Sequence, residues 1–130
     1  MKAVKIDLAG REQYLMLTVE GMFQIDDAFG GSAGLIDAIR PGTREGFDAA
    51  CRAAVILAEQ GELARRQLGY APAPIVDVET IRAATAPSDL ARLKLAIPAA
   101  LSLGYGREVE PETNEIDLGL AELEAQKKTG

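Results

Sequence analysis

The stretch from Tyr14 to Gly31, YLMLTVEGMFQIDDAFGG, changes its apolar period partway along, and few folds accommodate both halves. Leu15, Leu17 and Val19 alternate with Tyr14, Met16 and Thr18, which predicts a strand running almost to Gly21. Both faces of that strand are largely apolar, so both are expected to be covered. Beyond Gly21, Met22, Ile25 and Phe29 recur at helical spacing and leave Gln24, Asp26 and Asp27 for a solvated face. Gly30 and Gly31 end the helix, because glycine accepts the left-handed conformation that follows a last helical turn. One continuous segment therefore supplies a buried strand and the helix packed against it.

The chain before this segment pairs with it. Val4, Ile6 and Leu8 alternate with Lys5 and Asp7, the pattern of a half-buried strand, and Ala9 to Glu12 turn the chain back into an antiparallel hairpin. An isolated two-stranded hairpin is marginal in water, so other elements must cover it. Helices can take one face. The other is open to a third strand, a late helix or a neighbouring subunit, which makes Tyr14, Met16 and Thr18 a candidate self-association strand and the chain an expected homo-oligomer.

Helices follow. Ser32 is placed to cap a short one with Leu35, Ile36 and Ile39 on its apolar side, ended by Pro41 and Gly42. Thr43 caps the longest regular stretch, Arg44 to about Gln60, in which Phe47, Ala50, Cys51, Ala54, Val55 and Ala58 share a face. Gly61 is expected to interrupt it, with a further turn or two from Glu62 to Leu68 and with Arg65 and Arg66 solvated. The two prolines of Tyr70 to Pro74 make a connector. Asp77 caps a short helix containing Val78 and Ile81, and Pro87 opens another containing Leu90, Leu93, Ile97 and Leu101, which Pro98 should kink or break near Ile97. The expected fold class is α+β, an N-terminal antiparallel hairpin packed against about five helices, in a single domain over residues 1–106.

From Arg107 the composition shifts. The last 24 residues carry 7 of the 20 acidic groups and 3 of the 14 basic ones, so residues 107–130 are expected to form a mobile acidic tail. Within it Ile116, Leu120 and Leu123 stand at i, i+4 and i+7. The stripe is too short to hold a helix alone, and it is a candidate for docking onto a partner.

Chemistry is sparse along the chain. Histidine is absent, and with it the commonest general base and zinc ligand. The single cysteine, Cys51, lies on an alanine-rich helical face with no base beside it and is expected to be a small core residue. Asp26 and Asp27 are adjacent and diverge by about 100° on a helix, so they do not share a metal or a proton. Gly30-Gly31-Ser32-Ala33-Gly34 lacks the lysine of a phosphate loop and follows a helix rather than a strand. No enzyme activity, cofactor or metal is expected. A net charge of −6 argues against nucleic acid as a partner. No apolar run is long enough to cross a bilayer, and MKAVKIDLAG lacks the apolar core of a signal peptide, so the expected location is the cytoplasm.

The hairpin and the segment after it, VKIDLAG followed by YLMLTVEGMFQIDDAFGGSAGLIDAI, resemble the N-terminal part of the tail assembly chaperones of long-tailed bacteriophages, prophages and gene transfer agents. That family has a hairpin, a helix ending in Phe-Gly and then a short helix, a pattern matched here over roughly the first third. The resemblance implies a protein that binds the tape-measure protein and tail-tube subunits in the bacterial cytoplasm and is left out of the virion. It also implies a longer product made by ribosomal frameshifting, for which the codons of Gln126-Lys127-Lys128 are the candidate slippage site. A tail-completion or connector protein of the virion, and a small cytoplasmic adaptor or regulatory subunit, are the alternatives.

Overall fold

The two central residues of the first turn, Ala9 and Gly10, both take positive φ, 54° and 76°. That turn geometry matches the right-handed twist of paired strands and closes the hairpin tightly. Its arms are β1 (Lys2–Leu8) and β2 (Arg11–Leu15), paired from Val4–Leu15 to Leu8–Arg11. The computed structural model describes residues 1–109 and 114–118. Among the described residues, five helices follow the hairpin: α1 (Val19–Phe29), α2 (Ser32–Ile39), α3 (Arg44–Gln67), α4 (Val78–Ala84) and α5 (Pro87–Gly104). A third strand, β3 (Glu115–Asp117), then pairs antiparallel with β1, giving the sheet order β2-β1-β3. The fold is α+β, a hairpin packed with five helices, as expected.

Most helix boundaries follow from local chemistry. Thr43 and Asp77 accept hydrogen bonds from the backbone N–H of Gly46 and Thr80, and Gly30 ends α1 at φ 75°. The α5 helix opens at Pro87, where a missing N–H costs nothing. One face of the sheet and all five helices meet in a single core, to which Leu8, Leu15, Ile25, Leu35, Leu57, Ile81, Leu93 and Ile97 contribute fully buried side chains. Much of the rest is alanine, with Ala50, Ala53 and Ala54 inaccessible along α3.

Five expectations need correction. The second strand stops at Leu15, because Thr18 caps α1 and accepts the Gly21 N–H at 3.0 Å. The cap of α2 is Gly31, and Ser32 is already its first helical residue. Pro98 does not break α5, which is held on both sides of it by buried Ile97, Ala99 and Leu101. Residues 114–118 are not a detached tail, since Glu115–Asp117 completes the sheet; the remainder of the expected tail, 110–113 and 119–130, lies outside the described residues. Finally, α3 runs through Gly61 without interruption.

The last of these has a steric cause. A Cβ at Gly61 would stand 1.7 Å from the carbonyl oxygen of Tyr14, so the bare Cα is what lets α3 lie against β2. The Met16 N–H donates to the Leu57 carbonyl at 3.1 Å in the same contact. Gly61→Ala gains helix propensity but must push the strand away, and overpacking against backbone has no flexible side chain to yield. A loss of at least about 2 kcal/mol is expected in urea unfolding, against a change within about 0.5 kcal/mol for Gly42→Ala, which has open space around it.

Candidate interaction surface

The three residues of the candidate self-association strand have three different fates. Met16 is 3% exposed and packs with Ala3, Ala64 and Leu118 in a small cluster on the sheet face opposite the main core. Tyr14 is partly buried, its ring 5.2 Å from the guanidinium carbon of Arg65. Thr18 lies beyond the strand as the α1 cap and donates its hydroxyl to Gln60 Oε1 at 2.5 Å. They do not line one open strand face, because the chain's own Ala64, Arg65 and Leu118 cover it. Of the candidate docking stripe, Ile116 sits in β3 opposite Ala3, while Leu120 and Leu123 lie outside the described residues.

Arg65 is the clearest departure from a solvated face. Its guanidinium lies between the rings of Tyr14 and Tyr70, at 5.2 and 4.8 Å, and its side chain is only 14% exposed. Glu62, which is 6% exposed, pairs with Arg65 at 2.5 Å and Arg66 at 2.8 Å, and accepts the Ala73 N–H at 2.8 Å. The end of α3 is thereby fastened to the proline-rich connector. Burial pushes the Glu62 carboxyl up. The Ala73 N–H, the hydrogen bonds from Arg66 and Arg65, and the charge of Arg65 outweigh it and hold the group below the ordinary carboxylate range. The i, i+3 and i, i+4 spacing from Glu62 to the two arginines is visible in the sequence, but the aromatic sandwich is not.

Apolar exposure is concentrated elsewhere. A groove of about 500 Å³ runs between the start of α1 and the end of α5, lined by Met1, Met16, Leu17, Val19, Met22, Leu103 and Tyr105 among others. All three methionines of the chain meet there. A second groove of about 530 Å³, lined by Leu63, Ala64 and Arg66, adjoins it through the shared Met1 and Thr18. Among the described residues, four of the seven exposed large hydrophobic side chains, Met1, Val19, Leu63 and Tyr105, line these two grooves, and Phe23 follows Val19 by one turn. Val19 is 66% exposed rather than core-facing, because the strand ends before it. The proximity of these side chains makes this face the candidate contact surface, whereas apolar residues scattered singly are ordinary.

Cys51 is inaccessible in the core, and burial pushes its thiol up, away from the reactive thiolate. Among the described residues, no group of three or more His, Cys, Asp or Glu side chains is arranged to hold a metal ion, and no helix is long and apolar enough to cross a membrane. No protein-family model, curated protein or solved structure matches the chain.

The Glu62 cluster has a pH signature. A carboxyl held low in the folded state contributes stability in full above its unfolded value, near 4.5, and loses it as pH falls through the folded value. Glu62→Gln strands a buried guanidinium and is expected to cost about 3 kcal/mol at pH 7. The advantage of the wild type over this variant should shrink below pH 4.5, as measured by urea titrations across that range.

Proposed function

We propose that the chain is a tail assembly chaperone that holds apolar segments of the tape-measure protein, and tail-tube subunits, in the host cytoplasm while a phage or prophage tail is built. It acts by binding alone and leaves before the particle is complete. The resemblance over the hairpin and the two helices after it supports this reading. The observation that carries it is the methionine-lined groove beside the junction of hairpin and α1. Unbranched, polarisable side chains adapt to apolar segments of different shapes, as a chaperone for a long partner requires.

The test is co-expression with the tape-measure and tail-tube proteins of the same gene cluster. The wild type is expected to keep tape-measure protein soluble, to co-purify with it and to be absent from finished particles by mass spectrometry. Val19→Glu with Phe23→Glu changes two exposed side chains and is expected to keep the wild-type helical signal. It should weaken the complex at least about tenfold, since a charge in a desolvated contact costs more than about 1.4 kcal/mol. Retention of the chain in purified tails would make it a virion component instead, and an unchanged complex in the double variant would remove the groove from the reading.

A further inference from the structure

The two edges of the sheet are treated differently. The outer edge of β2 lies against α3, with the Met16 N–H bonded to Leu57 and the Tyr14 carbonyl against Gly61. Such cover removes an edge from further pairing. The edge of β1 near the N-terminus is instead filled by a three-residue strand of the chain's own, Glu115–Asp117, and by Leu118 after it. This strap contributes nothing to the main core, whose residues come from β1, β2, the helices and the segments between them. Leu118 and Ile116 belong to the small cluster with Ala3, Met16, Ala64 and Tyr14.

The strap is held by its antiparallel pairing with Lys2–Val4, by hydrogen bonds at its two ends and by ion pairs at the surface. The Leu118 N–H donates to the Met1 carbonyl at 2.9 Å, the Lys5 N–H to the Asn114 carbonyl at 3.1 Å, and the Tyr70 hydroxyl to the Leu118 carbonyl. Lys2 pairs with Glu115 at 2.9 Å and the N-terminal ammonium with Asp117 at 3.2 Å. Lys2 and Met1 are both half-exposed or more, so each pair contributes little. Beneath the strap lies a strand edge with small Ala3 at its centre, an apolar hole filled by Leu118, and positive charge from Lys2 and the N-terminus. That surface selects an extended segment in which acidic residues alternate with apolar ones, as in Glu115-Ile116-Asp117-Leu118.

We propose that the β1 edge is a strand-docking slot, closed by the chain's own Glu115–Leu118 strap, and that it accepts from a partner protein an extended segment alternating acidic and apolar residues. The strap opens locally without unfolding the helices, and the incoming strand pairs with β1, places its second apolar residue in the Leu118 hole and sets its acids beside Lys2 and the N-terminus. Affinity for the partner is reduced by the fraction of molecules in which the strap is closed. The slot adjoins the methionine-lined groove through Met1, Lys2 and Met16, and its peptide test is separate from the identity of the groove's partner.

The probe is a fluorescein-labelled, end-blocked peptide, Thr-Asn-Glu-Ile-Asp-Leu-Gly, followed by anisotropy with the full chain. Leu118→Ser weakens the strap and is expected to bind the peptide at least about tenfold more tightly than the wild type does. Ala3→Glu in the same background should abolish binding, as should serine in place of both apolar residues of the peptide, and added salt should weaken it. In the wild type the Leu118 amide is expected to exchange at least about a hundredfold faster than core amides of α3 such as Leu57. Three results would overturn the proposal: a Leu118→Ser chain with a native helical signal that ignores the peptide, strap amides protected as strongly as those of α3, or a concentration-dependent wild-type dimer, which would assign the slot to strap exchange between two copies.

Discussion

The contact on which the rest of the structure depends is the approach of α3 to the strand that leaves the hairpin. Nearly every element touches this pair. The segment Tyr14 to Leu17 is held on one side by Gly61 and on another by Gly104, where a Cβ would stand 2.5 Å from Cβ of Leu17. Both glycines serve closeness. A core so rich in alanine removes little apolar surface from water per residue, so its cohesion relies on short distances between backbones and many small dispersion contacts. The aromatic and guanidinium cluster of Tyr14, Arg65 and Tyr70 fastens the end of the same helix to the connector that follows it.

This dependence explains which features were legible in the sequence. Thr43, Asp77, Gly30 and Pro87 act through their own backbone neighbourhood, so their roles as helix boundaries could be read from the residues alone. Gly61 and Pro98 act through propensities that tertiary contact overrides, and each was expected to disturb a helix that in fact continues. Thr18 had two competent readings. Its branched side chain fits an alternating strand, but its hydroxyl also satisfies the Gly21 N–H, and the cap ends the strand three residues before it. That single choice moves Val19 from the core to the surface and opens the groove.

The candidate surface was harder to read for the same reason. Its parts come from both ends of the chain and from the middle: Met1, the residues around Val19, Leu63 on α3, and Leu103 and Tyr105 at the end of α5. No local pattern assembles them. Of the covers expected for the second sheet face, a third strand, a late helix or a neighbouring subunit, the structure supplies a third strand, with Ala64, Arg65 and Leu118 of the same molecule beside it.

Two consequences of that cover pull in different directions. The strap that shields Met16 also supplies Leu118, so the hairpin is completed by residues more than a hundred positions away in sequence. With α5 already packed against β1, closing the strap orders only the segment that follows α5, and three paired residues with exposed ion pairs stabilise that ordering modestly. The helices and the β1–β2 hairpin share one core that does not include the strap, so they can be native while the strap is open. Acidic residues on the strap facing Lys2 and the N-terminus then act as selectivity rather than as stability. They define which strands fit, including the chain's own, while leaving the closed state only modestly favoured. A protein built mainly from closely packed alanine helices can therefore keep its sheet edge exchangeable without loosening the part that holds its shape.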